Sequence, residues 1–144
     1  MTSPPSIRRR NPRRQGEIGF GAAIAWFCAK GWLVSIPLCD NQPYDLVVDD
    51  GQGLAKVQVK TTTRRTPAGN FQVQLETAGG NQSFSTAKLF DPTASDILFV
   101  LTDENAQYAI PCSAFAARSQ LSLSAAFDRY RVGGGVVGEG FEPS

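Results

Sequence analysis

Two short stretches constrain this chain more than any others. Pro43-Tyr44-Asp45-Leu46-Val47-Val48-Asp49 is followed, after Asp50-Gly51-Gln52-Gly53, by Val57-Gln58-Val59-Lys60-Thr61. The β-branched run, the glycine-rich break and the second alternating run predict a β-hairpin. Side chains alternate faces along a strand, so Gln58 and Lys60 point the same way. If Asp45 pairs opposite them, one face gathers a carboxylate, an amide and an ammonium. That trio can bind a divalent metal and activate a water.

Around the hairpin, the pattern predicts a helix over Gln15–Lys30, with Ile18, Ala22, Ala25, Trp26 and Ala29 on one face and Gly31 as its stop. Gly19 and Gly21 weaken its first half but permit close packing there. Strands are expected over Leu33–Leu38, Tyr44–Asp49, Leu54–Thr62 and Phe71–Glu76. Asp96-Ile97-Leu98-Phe99-Val100-Leu101 is apolar after its first residue, as in a central strand covered on both faces. Gln107–Ile110 pairs with it across a turn. Ser113 is read as the cap of a short helix over Ala114–Arg118, and Ser124–Tyr130 as a second. The fold class is therefore α/β (or α+β), one mixed sheet with the long helix on one face.

The 144 residues suffice for one core. Residues 1–14 read as a disordered basic arm, 15–132 as the folded domain and 133–144 as a flexible tail. No apolar run of about 18 residues or more suggests a membrane span, and no secretory signal is visible, so a cytoplasmic protein is expected. Cys28, Cys39 and Cys112 form no CxxC, which argues against zinc or a disulfide framework. The chain contains no histidine. Acid–base chemistry must then come from carboxylates, lysines, tyrosines or metal-bound water. Net charge is only +1, yet Arg8, Arg9, Arg10, Arg13 and Arg14 precede every acidic residue. Such a cluster attracts phosphate backbones. Arg64 and Arg65 stand close enough after Lys60 to join them, or to be simply solvated.

Gly16-Glu17, Ser35-Ile36-Pro37-Leu38, the block from Asp40 to Asp49, Val57-Gln58-Val59-Lys60-Thr61, Asp96 to Val100 and Tyr108-Ala109-Ile110-Pro111 together resemble the PD-(D/E)xK nuclease superfamily. More narrowly they are similar to its small branch associated with group I introns, which includes homing endonucleases using Gln-x-Lys. The resemblance implies a restriction-endonuclease-like core, a mixed central sheet flanked by helices. It implies a DNA endonuclease using Mg2+, or another divalent metal such as Mn2+, with double-stranded DNA as partner and no small-molecule cofactor. The implied roles are helix acid for Glu17, metal ligand for Asp45, neutral site member for Gln58 and catalytic lysine for Lys60. The Val59 carbonyl is a second candidate ligand, and Glu17 could ligate through a water. Gln58 departs from the superfamily pattern. A carboxylate about 4 Å from a metal would contribute several kcal/mol of attraction at an effective dielectric of about 20. One small domain offers one active site, so cutting both strands implies a homo-oligomer. The same residues fit a structure-selective junction or repair nuclease, or a non-catalytic nucleic-acid-binding module derived from the fold.

Overall fold

The computed structural model describes residues 6–39, 41–77 and 88–133. One helix, α1 (Pro12–Ala29), precedes nine strands: β1 (Leu33–Ser35), β2 (Leu46–Asp49), β3 (Leu54–Thr62), β4 (Arg64–Arg65), β5 (Phe71–Gln74), β6 (Ile97–Thr102), β7 (Gln107–Pro111), β8 (Gln120–Leu123) and β9 (Arg131–Gly133). Six of them form a mixed sheet in the order β1-β2-β3-β6-β7-β9, in which β3 and β6 run parallel and the other pairs antiparallel. The restriction-endonuclease-like architecture expected from the sequence is present. A second, three-stranded sheet, β4-β5-β8, is not foreshadowed by the pattern.

The helix begins earlier than its apolar pattern suggests and takes in three residues of the expected arm. The Asn11 side chain accepts the Arg14 N–H at 2.8 Å, and Pro12 opens the first turn without needing a donor. Ahead of it, Ile7 is fully buried and its carbonyl accepts the Gln15 Nε2 at 3.1 Å. Gly31, at φ 84°, ends the helix. The buried face is also rotated from the expected one. Gly19, Ala23 and Phe27 are its buried residues, whereas Ala25 and Ala29 are exposed. A Cβ on Gly19 would lie 2.5 Å from Thr61 Cγ2, so the missing side chain lets α1 settle onto β3. Gly21 has open space around it and plays no such part.

Two cores flank the main sheet. On the helix side, Ala23, Phe27, Leu46, Val48, Val57 and Phe99 pack together. On the other side, Leu98, Val100, Tyr108 and Ile110 meet Val73, Leu75, Leu121 and Leu123 of the small sheet. Strand β6 faces both cores, which accounts for its unbroken apolar run. Over β1, β2 and the start of β3 the face away from the helix is uncovered, and Leu33 and Leu54 there are 71% and 73% exposed.

The first of the two short C-terminal helices is corrected. Cys112–Ala114 is a single 3-10 turn without a side-chain cap, and Phe115 is extended at φ −142°, its ring packed on Phe90. The second is present over Ala125–Tyr130, as a 3-10 helix that follows Ser124. Between them lies β8, whose Leu121 and Leu123 are buried while Gln120 and Ser122 are exposed, a period of two. The expected tail from residue 134 onward lies outside the described residues.

The close approach of α1 to β3 gives a first prediction. Gly19→Ala should destabilise the fold by about 1–3 kcal/mol through overpacking. Gly19→Ala combined with Thr61→Ser, which removes the opposing methyl, should recover most of that loss. Denaturant unfolding of the two single variants and the double variant measures the coupling.

Candidate active site

Strand β3 is nine residues long, but β2 pairs only with its first four, from Leu54 to Val57. The β2-side edge of Gln58–Thr62 is therefore without a strand partner. Backbone groups of alternate residues point to alternate edges. The Lys56 and Thr62 carbonyls accept from Asp96 and Asp103 on the β6 side. The Val57 carbonyl accepts the Asp45 N–H on the β2 side, at 2.8 Å. The N–H and C=O of Val59 thus face the open edge.

Asp45 occupies that edge. It stands one residue before β2, and continuing the register by one step sets it opposite Gln58. Its Oδ2 accepts the Val59 N–H at 2.7 Å, as a strand-start carboxylate does when it replaces a missing ladder partner. Asp96 makes the same arrangement at the head of β6, accepting the Lys56 N–H at 2.8 Å. The difference lies in what is nearby. Asp45 also lines a cleft of about 400 Å3, and its Oδ1 takes no part in the bond to Val59. The N-terminal half of α1 forms one wall (Pro12, Gln15, Gly16, Phe20), β3 forms the floor (Val59, Lys60, Thr61), and Gln74 and Glu76 form the far wall.

Lys60 reaches this cleft half-buried. Burial pushes its ammonium below the ordinary lysine range, and the neighbouring Asp45 carboxylate pulls it back only in part. Gln58 is on the same face of β3 and lines an adjacent cleft of about 330 Å3 with Gln42, Pro43, Thr77, Lys88 and Lys60 itself. The structure thus brings Asp45, Val59 and Lys60 into one cleft and sets Gln58 across Lys60 from it. Glu17 is not among the cleft-lining residues. Its carboxylate is paired with Arg14 at 2.9 Å and Arg13 at 3.8 Å on the exposed side of α1.

The donors suit a hard cation: a carboxylate oxygen, an open backbone carbonyl and the Glu76 carboxylate on the far wall, all oxygen. Among the described residues no three Asp, Glu, Cys or His side chains gather into a ready-made cage. A cation held by one or two carboxylates would keep several waters, as magnesium prefers.

The arginines divide. Arg9 and Arg10 are exposed in a turn closed by the Arg10 N–H donating to the Ile7 carbonyl at 3.2 Å. Arg8 reaches toward Asp103 at 3.9 Å. Arg64 is exposed on β4 and donates to Gln74 Oε1 at 3.5 Å. Arg65 is committed to the fold, paired with Asp103 at 2.7 Å and Glu104 at 3.4 Å and stacked 4.0 Å from the Phe71 ring. Sequence reasoning misses Gln74 and Glu76. The signal is present in Gln72-x-Gln74-x-Glu76, a polar face alternating with Val73 and Leu75.

The PD-(D/E)XK endonuclease family matches residues 10–130. A solved structure described as that of a bacterial homing endonuclease, I-Ssp6803I, superposes with a TM-score of 0.69 at 26% identity, over 84% of this chain and 88% of that one. A search of curated proteins finds no match.

The lowered Lys60 makes stability depend on pH with a definite sign. The unfolded lysine titrates near its ordinary 10.5 and the folded one below it, so the unfolded chain binds more protons between the two. The cost of burying the charge is fully present below the folded value and disappears above 10.5. Lys60→Met should therefore raise the unfolding free energy at neutral pH, and the gain should shrink as pH rises toward that of free lysine. Urea unfolding of both proteins across neutral to alkaline pH checks the trend.

Proposed function

The chain belongs to the PD-(D/E)XK endonuclease family, and from that premise we propose that it is a metal-dependent DNA endonuclease of the homing type, cutting at the Asp45–Lys60 cleft. The observation that carries the reading is the disposition of Asp45. One oxygen is spent on the Val59 N–H and the other is not, and Asp45, Val59 and Lys60 line one cleft. The description of the similar structure as a homing endonuclease supports the finer assignment.

Hydrolysis of a phosphodiester needs an aimed and deprotonated water, neutralised phosphate charge and a stabilised leaving alkoxide. Asp45 and the Val59 carbonyl would hold a divalent cation, Mg2+ or Mn2+, which would supply the charge neutralisation and lower the pKa of a water. Asp45 holds its own orientation through Val59, so the site is rigid before substrate arrives. Lys60, with its affinity for the proton reduced by burial, orients the attacking water and contacts the scissile phosphate. Water oxygen bonds to phosphorus as the phosphorus–oxygen bond to the leaving sugar breaks. Gln58 acts as the neutral member beside Lys60. Glu17, held by Arg13 and Arg14 outside the cleft, would contribute through a water only if DNA phosphates drew those arginines away. Double-stranded DNA is the substrate, contacted through Arg8, Arg9, Arg10, Arg13, Arg14 and Arg64. Two copies of the chain cut the two strands.

One observation favours a second reading. With Gln58 at the usual position of an acid and no cluster of three acids among the described residues, a non-catalytic binding module descended from the same fold is the alternative.

The test is cleavage of a supercoiled plasmid library carrying randomised pseudo-palindromic sites, with Mg2+ or with chelator. Discrete metal-dependent cutting is expected, and Asp45→Ala and Lys60→Ala should each reduce it at least about 100-fold. DNA binding that survives chelation and Asp45→Ala, with no cutting, selects the binding module. Gln58→Glu should tighten metal binding if that position belongs to the site.

The arginines give a separate expectation. Arg9→Ala and Arg10→Ala should each lower the slope of log affinity against log salt by about 1 and leave folding unchanged. Arg65→Ala should instead cost roughly 1–3 kcal/mol of stability, because it strips the charged hydrogen-bond partner from Asp103. Binding titrations at several salt concentrations and thermal unfolding separate the two.

A further inference from the structure

We propose that Glu76 is the second carboxylate of the metal site, supplied from just beyond β5 in place of the acid missing at Gln58. The inference rests on the reading of the Asp45 cleft as the metal site. Glu76 lines that cleft together with Asp45, Val59 and Lys60, whereas Gln58 lines the neighbouring one.

The backbone around Glu76 is held on both sides. Its own N–H and that of Leu75 both donate to the Ser119 carbonyl, at 3.2 and 2.8 Å. Thr77 then exchanges backbone hydrogen bonds with Lys88 at 2.9 and 2.7 Å. The carboxylate is half-buried, and Oε1 accepts one long hydrogen bond from Gln74 Nε2, at 3.3 Å. Gln74 is itself oriented at its other end by Arg64, at 3.5 Å. Among the described residues no lysine or arginine forms an ion pair with Glu76.

In a cleft that receives phosphate, a carboxylate without a cationic partner repels the substrate. Were Asp45 and Glu76 to hold a divalent cation together, that cost would be removed and magnesium's preference for one or two carboxylates plus waters would be met. Glu17, the other acid near the cleft, already has two arginine partners. Sequence spacing hides Glu76 because it lies 16 residues past Lys60, beyond two strands of another sheet.

The experiment is Mn2+ titration of the full chain without DNA, followed by electron paramagnetic resonance of the free ion. Wild type, Asp45→Asn, Glu76→Gln and Glu76→Asp are compared, with circular dichroism to verify folding. Glu76→Gln is expected to weaken Mn2+ at least about tenfold, and Glu76→Asp to recover part of the loss. Asp45→Asn should weaken Mn2+ at least as much. If Glu76→Gln binds Mn2+ like the wild type while Asp45→Asn does not, the inference about Glu76 is wrong and the Asp45 reading stands. If neither substitution changes Mn2+ binding, both fall. A loss in Glu76→Gln that Glu76→Asp fails to recover at all, with folding intact, also counts against the carboxylate as the bound group.

Discussion

The site depends on an inequality of strand lengths. Strand β3 runs five residues beyond the last one that β2 pairs with. A sheet edge left open inside a protein must be satisfied or covered. Here the Asp45 carboxylate satisfies one N–H of that edge, and the helix and the small sheet approach from either side without closing over it. The cleft is what remains. Strand β6 on the other edge of β3 keeps the floor rigid, since it pairs in parallel along the same residues and is buried on both faces.

Two features shape that floor. Gly19 lets α1 approach Thr61, so the helix wall stands close to β3. Burial weakens the hold of Lys60 on its proton, at a cost in stability. Asp45 moderates the shift. The same carboxylate therefore holds the strand edge and steadies the lysine.

Much of this is legible in the residues alone. Leu54–Thr62 has the bounds its alternation suggests, and the apolar Ile97–Leu101 run forms the doubly covered strand. The hairpin register that puts Asp45 opposite Gln58 follows from the turn and the pattern. Where the local pattern misleads, tertiary packing is the common cause. The larger apolar residues of the helix suggest one buried face, but a glycine contact sets its rotation. Ser113 suggests a capped helix over Ala114–Arg118. Packing of Phe115 on Phe90 and pairing of β8 with β5 override that local preference.

By itself, the sequence determined the local elements of the site: which residues alternate, where the turn falls, that a carboxylate, an amide and a lysine share a strand pair, and that histidine chemistry is excluded. These follow from short-range sterics and composition. Only the tertiary structure decided which acids line the cleft. Glu17, the chain neighbour of cleft-lining Gly16, turns to its arginines, while Glu76 reaches the cleft from the segment just after β5. Contacts between distant segments are set by how two cores pack on opposite faces of one sheet, and no spacing along the chain encodes that directly.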